Sequence, residues 1–283
     1  MERIGVVGCG LMGSGIAEVL ARAGLNVAVK EISESALEAG RGRIEHSLAR
    51  AVSRGKMTDD EHAAVRGRIA YTSGWDGFDS VELVIEAVVE DEELKKKLFE
   101  SLDSVTPRDA ILATNTSSVP IMKLASATSR AGQVLGLHFF NPVPVMPLVE
   151  IVPALTTADK TLQIAREFVE NDLGKKTVMA RDRAGFVVNR LLIPYLLDAV
   201  RMLESGFATL EDIDQGMVLG CNHPMGPLAL SDLIGLDTLH AVARSLFEEF
   251  KEPLYAPPPL LSRMVEAGLL GRKSGRGFHD YGR

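Results

Sequence analysis

Cysteine is nearly absent, with only Cys9 and Cys221 in 283 residues. So sparse a supply excludes a disulfide-framed scaffold and fits a reducing compartment. Basic residues are in deficit as well: 31 Lys and Arg against 38 Asp and Glu leave a net charge of -7. That balance argues against a general nucleic-acid binder, while leaving room for a local basic patch facing an anionic ligand. Long hydrophobic runs are missing. The most apolar N-terminal stretch, residues 4–17, is glycine-rich and too short for a membrane span. Met1-Glu2-Arg3 passes directly into a strand pattern without the basic, apolar and small-residue series of a secretory signal, so a cytoplasmic protein without a membrane partner is expected. His46, His62, His223, His240 and His279 show no ligand-like pairing, and no metal site is expected. A G-x-S-x-G elbow is also lacking, which removes the serine-hydrolase reading.

What is present is the profile of a globular protein, 46% hydrophobic and 24% charged. Its length exceeds the usual single-core size, so two domains are expected. In the first half, short β-branched runs at 4–7, 27–29, 69–71, 83–87, 111–114, 134–138, 149–152 and 177–179 alternate with amphipathic stretches at 11–23, 36–52, 92–105 and 159–173. Such alternation predicts βαβ units and a parallel sheet. Gly24 and Gly174 stand where left-handed helix ends are expected, and Thr58 with Glu61 spells a capping box. Beyond about Ala184 the strand signal stops, and residues 187–203 carry apolar positions at helical spacing, with Pro194 as an expected kink. Further helices are predicted at 210–219, 228–234, 238–250 and 260–269, followed by an irregular glycine-rich, basic tail over 271–283. The expected fold class is α/β, a dinucleotide-binding domain over 1–184 followed by a smaller all-helical domain over 185–283.

The first strand runs into Gly8-Cys9-Gly10-Leu11-Met12-Gly13 and then a helix. In this setting the glycines allow a tight turn, backbone approach to a pyrophosphate and close helix–strand packing, and the helix start offers amides to the phosphates. Glu31 at the end of the second strand suits a ribose and repels a 2′-phosphate, favouring NAD; the adjacent Lys30 offers a cation that would tolerate NADP as a secondary cofactor. Glu86 and Glu90 flank the end of a strand, with Lys95 one turn into the following helix. From spacing alone these read equally as ligand contacts or as ordinary helix-start and solvated charges. Thr114-Asn115-Thr116-Ser117-Ser118 closes another strand and reads as a polar cluster or a helix cap. His138 leaves an apolar strand before Phe139-Phe140-Asn141-Pro142, and Glu150 lies on the returning segment. Taken alone His138 reads more readily as a satisfied core histidine; paired with Glu150 it would be an oriented base.

These motifs, with Ala184-Gly185-Phe186-Val187-Val188-Asn189-Arg190, Asp232-Leu233-Ile234-Gly235-Leu236-Asp237 and Gly271-Arg272-Lys273-Ser274-Gly275, resemble in order and over nearly the whole chain the 3-hydroxyacyl-CoA dehydrogenases, especially the short bacterial 3-hydroxybutyryl-CoA dehydrogenases. The resemblance implies a Rossmann-like domain and a helical domain that forms a homodimer. It implies His138 as general base, Glu150 as its orienting partner, Ser117 and Asn189 on the substrate's reacting oxygen, and Asn141 beside the nicotinamide. Gly8, Gly10, Leu11, Met12, Gly13, Glu31, Glu90, Lys95, Ser117, Asn141 and Lys273 would meet NAD. Ser47, Arg54, Lys56, Lys95 and Ser117 would meet an acyl-CoA, although Arg54 stands where such proteins often carry lysine. Two other readings remain at this stage: a two-domain dehydrogenase of free hydroxy acids, which generally relies on a lysine, and a non-catalytic NAD-binding protein on the same fold.

Overall fold

Local sequence accounts for most elements of the computed structural model, which describes residues 1–282. The chain divides into two units, Met1–Arg183 and Ala184–Arg283. In the first, β1 (Arg3–Val7), α1 (Leu11–Arg22), β2 (Asn26–Lys30), α2 (Glu34–Ser53), α3 (Asp59–Gly67) and β3 (Ile69–Thr72) precede β4 (Leu83–Glu86), α4 (Glu92–Val105) and β5 (Ile111–Thr114). There follow α5 (Ile121–Ala125), β6 (Val134–Phe139), β7 (Leu148–Pro153), α6 (Asp159–Glu167) and β8 (Lys176–Met179). The strands form one sheet in the order β3-β2-β1-β4-β5-β6-β7-β8.

Strands β1 to β6 are parallel, as the alternation predicts, but β7 runs antiparallel to β6 and β8 runs parallel to β7. The reason is the connection: residues 140–147 are too few for a helical crossover, so the chain must turn back beside its own strand. All residues of β4, β5 and β6 are buried, which explains their continuous apolar character. Helix α1 buries Gly13, Ile16, Ala17 and Leu20, the i, i+3, i+4, i+7 stripe of a helix packed on a sheet. Burial of Ile16 or Leu20 contributes roughly 1.5–3 kcal/mol each.

The Thr58–Glu61 capping box forms as expected, and Gly24 and Gly174 adopt φ of 91° and 63°. The helix expected over 159–173 is α-helical only to Glu167; a π turn follows over Phe168–Asp172.

The second unit contains α7 (Val188–Glu204), α8 (Leu210–Cys221), α9 (Pro227–Ile234), α10 (Leu236–Phe250) and α11 (Pro259–Glu266) around a core that includes Leu196, Val200, Leu228, Leu239, Leu246 and Leu261. Helix α7 runs through Pro194. The carboxylate of Asp214 accepts the Leu228 and Ala229 amides at 2.8 and 3.0 Å and so caps α9. Gly226 is obligatory there, because a Cβ would stand 2.3 Å from the Asp214 side chain. The basic tail is pinned by Asp232, which accepts the Phe278 and His279 amides and the Tyr281 hydroxyl. Arg283, the end of that tail, lies outside the described residues.

Candidate active site

At the end of β1, Gly8 takes φ of 90°, and a Cβ there would stand 2.6 Å from the Ala87 carbonyl oxygen. Gly13 is tighter still, with a Cβ 1.8 Å from the Gly8 oxygen. Gly10 differs: nothing lies within 4 Å of its Cβ position, and it precedes α1 without a side-chain cap. Two glycines thus let the backbone pack, and the third leaves open space before the first-turn amides of Leu11 and Met12. These residues fit a dinucleotide pyrophosphate. Gly40 of α2 is a glycine whose role the sequence reading missed. A Cβ there would stand 2.3 Å from Cys9 Sγ, so α2 approaches the turn only because the residue is small. Its signal was a glycine inside an amphipathic helix.

Glu31 reaches back to the same turn: Oε1 accepts the Cys9 amide at 2.6 Å and Oε2 the Ile32 amide at 2.9 Å. Lys30 is directed elsewhere. Its ammonium donates to the Ser73 carbonyl at 3.0 Å and lies 4.8 Å from the Trp75 ring centre. The cation at the turn is instead Arg43, which donates to the Cys9 carbonyl at 3.2 Å and which the sequence reading passed over. Burial, reinforced by Glu31 and opposed by Arg43, pushes the Cys9 thiol up to about 11, so it stays protonated near neutral pH.

The strand order reverses between β1 and β4, where ligands of such sheets bind at the carboxyl ends. Glu86, the last residue of β4 and 0% exposed, accepts from Lys95 Nζ at 2.6 Å, the Val88 amide at 2.7 Å and the Thr114 hydroxyl at 2.6 Å. Lys95 is itself 1% exposed and reaches Glu90 Oε2 at 3.2 Å. Glu90 gathers the loop after β5 on one oxygen, accepting from the Thr116 hydroxyl, the Ser117 and Ser118 amides at 2.8 and 3.0 Å, and the Ser118 hydroxyl at 2.9 Å. Partial burial raises the Glu90 carboxyl, but Lys95 and these donors outweigh it and hold the group below the usual carboxylate range. The polar cluster is therefore not a helix cap. Lys95, read from spacing as a solvated charge or a ligand contact, lies inside an ion network.

His138 and Glu150 are partners in the β6–β7 register, and Nδ1 stands 2.7 Å from Oε2. Glu150 is fully buried and His138 nearly so. The Phe140 ring meets the imidazole edge-on at 4.7 Å, and the Phe139 amide donates to Asn115 Oδ1 at 2.8 Å, tying β6 to the Ser117 loop. Asn141 is exposed at the start of the returning loop. That loop is held by Lys175, another residue the sequence reading missed, whose ammonium donates to the Val143 and Met146 carbonyls at 2.8 and 2.6 Å.

Ser47, on α2, is half-buried beside Glu18 of α1. Arg54 caps the C-terminus of α2, and both it and Lys56 are exposed. In the second unit Asn189 lies in the first turn of α7, and Lys273 is 2.5 Å from Asp237 Oδ1. Among the described residues no cluster of three or more His, Cys, Asp or Glu could hold a metal ion, and no helix is long and apolar enough to cross a membrane.

Comparison with known proteins identifies the chain's relatives. The family model for the 3-hydroxyacyl-CoA dehydrogenase NAD binding domain matches residues 3–183, and that for the family's C-terminal domain matches 185–281. A 3-hydroxybutyryl-CoA dehydrogenase of Mycobacterium tuberculosis is 58% identical over 282 residues, covering 99% of each chain. A crystal structure from M. tuberculosis, also 58% identical, superposes with a TM-score of 0.98 over 100% of this chain and 99% of that one. The (S)-3-hydroxybutyryl-CoA dehydrogenase of Ralstonia eutropha is 45% identical, with a TM-score of 0.93 and 100% of both chains covered. The chain belongs to the 3-hydroxyacyl-CoA dehydrogenase family.

Proposed function

We propose that the protein interconverts short-chain (S)-3-hydroxyacyl-CoA and 3-oxoacyl-CoA thioesters, such as 3-hydroxybutyryl-CoA and acetoacetyl-CoA, with NAD(H). The observation that carries this reading is the His138–Glu150 pair on the sheet that holds the glycine turn. As a carboxylate acceptor at Nδ1, Glu150 keeps the ring hydrogen there and makes Nε2 the basic nitrogen. His138 takes the C3 hydroxyl proton during oxidation and returns it to the alkoxide during reduction. A bound nicotinamide would supply the acceptor or donor for the hydride at C3. Ser117 and Asn189 donate to the reacting oxygen, and Asn141 borders the nicotinamide. Gly8, Gly10, Leu11, Met12 and Gly13 seat the pyrophosphate, Glu31 the adenosine ribose, and Glu90, Lys95 and Lys273 border the rest of the cofactor. Ser47, Arg54 and Lys56 take the coenzyme A moiety, the two cations by their charge on its phosphates.

NAD is the working cofactor and NADP a poorer second one, because a 2′-phosphate meets Glu31 while Lys30 is turned toward Trp75. The helical unit, which leaves Leu191, Phe207 and Leu219 largely exposed, forms a homodimer; light scattering should return twice the chain mass. The deciding assay follows NADH absorbance with acetoacetyl-CoA, free acetoacetate and longer 3-oxoacyl-CoA thioesters. The reading expects rapid turnover of the short thioester and little of the free acid. Turnover of the free acid alone would move the protein to the hydroxy-acid dehydrogenases.

A further inference from the structure

We propose that the Glu86–Lys95–Glu90 network imposes a net negative field on the nicotinamide subsite and thereby favours the oxidised, cationic cofactor over the reduced one. The inference rests on the reading that NAD(H) occupies this crevice. The network holds two carboxylates and one ammonium, with Lys95 2.6 Å from Glu86 and 3.2 Å from Glu90. Its remaining donors are neutral: the Val88, Ser117 and Ser118 amides and the Thr114, Thr116, Ser117 and Ser118 hydroxyls. They hydrogen-bond the carboxylate oxygens without adding a second positive charge. The Lys95 ammonium meets Glu86, Glu90 and, at 3.4 Å, the Val88 carbonyl, and its one positive charge is set against two carboxylates.

Position gives that charge its effect. Glu86 pairs in register with Val7, the residue before the glycine turn, at the point where the strand order reverses. Glu90 holds the Ser117 loop, which Asn115 ties to the strand of His138. With the substrate oxygen on His138, hydride transfer would bring a bound nicotinamide to the strand ends that Glu86 and the Ser117 loop border. The oxidised ring carries a positive charge and the reduced ring none. A hydrogen bond from Glu90 to the cofactor would act on both forms alike, whereas a field distinguishes them. One charge at about 10 Å through an effective dielectric of about 20 corresponds to an affinity factor on the order of tenfold.

The experiment measures dissociation constants for NAD+ by calorimetry and for NADH by fluorescence, on the unmodified protein and on Glu90→Gln, Glu86→Gln and Glu90→Asp. Each glutamine variant should weaken NAD+ about tenfold more than it weakens NADH, shifting the ratio of the two constants by that factor. Glu90→Asp keeps the charge while shortening the reach, so both forms should weaken together and their ratio should hold. Equal losses for NAD+ and NADH in Glu90→Gln, or a shifted ratio in Glu90→Asp, would overturn the proposal. Should Glu86→Gln fail to fold, the partly exposed Glu90 decides alone. Unmodified protein that binds neither form would instead sink the assignment of the cofactor site.

Discussion

His138 and Glu150 face each other across two antiparallel strands, with Nδ1 and Oε2 2.7 Å apart. Neither residue depends on a loop for its position: each is held by sheet pairing, so the ring and the carboxylate are aligned before substrate arrives. Their proposed catalytic part is tested by substitution. His138→Ala should lower acetoacetyl-CoA turnover by ~10²–10⁴ while NADH affinity is retained. Glu150→Gln preserves the shape but not the charge and should lower kcat more than it alters KM. Near-normal turnover by a folded His138→Ala protein would falsify the mechanism.

The glycine turn separates packing from binding. Gly13→Ala drives a Cβ to 1.8 Å from the Gly8 oxygen, so the cofactor-free protein should lose roughly 1–3 kcal/mol or more. Gly10→Ala meets nothing within 4 Å and should cost at most about 1 kcal/mol, yet it should weaken NADH at least about tenfold by filling the approach to the pyrophosphate. Thermal unfolding without cofactor, set beside NADH titration, checks both. Comparable losses of stability in the two variants would contradict this division.

Glu31→Ser should raise the use of NADPH relative to NADH, since the carboxylate that opposes a 2′-phosphate is gone. The gain should depend on Arg43, which lies on the Cys9 carbonyl, and little on Lys30, which is committed to Ser73 and Trp75. Adding Arg43→Ala should erase it and adding Lys30→Ala should not, as read from kcat/KM with both cofactors. The opposite pattern would restore Lys30 to the role its position in the sequence suggests.

Acid stability carries the signature of Glu90. Its carboxyl is held below the ordinary value of 4.5, so the folded state binds fewer protons there than the unfolded chain. The resulting stability is complete above the unfolded value and is lost as pH falls below 4.5 through the folded one. Glu90→Gln should therefore flatten the fall of Tm below that pH. Parallel acid limbs for the variant and the unmodified protein would show that other groups govern the transition.

Features carried by local sequence were legible before the fold was seen. The strand, the glycines and Glu31 sit within thirty-one residues of one another, and His138 and Glu150 belong to adjacent strands of a short hairpin. Long-range partners were not. Nothing near Lys95 indicates that Glu86 and Glu90 take its ammonium out of solvent, and nothing near Lys30 announces Trp75. Helix α5 is only five residues long and displays too little periodicity to stand out. The return at β7 was legible from the short proline-rich connection before Glu150, but the parallel pairing of β8 with β7 was not, because a short strand reads alike in either orientation.

Because β6 and β7 are consecutive in the chain, the proposed base, its carboxylate and the loop between them occupy one uninterrupted segment, residues 134–153. A single crossover on each side of that segment would carry all of them together into a related sheet. Glu86, Lys95, Glu90 and Ser117 are instead spread over β4, α4 and the loops around them, so no exchange of one element transfers their arrangement. The proposed proton-transfer pair would thus travel as one segment, whereas the Glu86–Lys95–Glu90 network would have to be rebuilt from several.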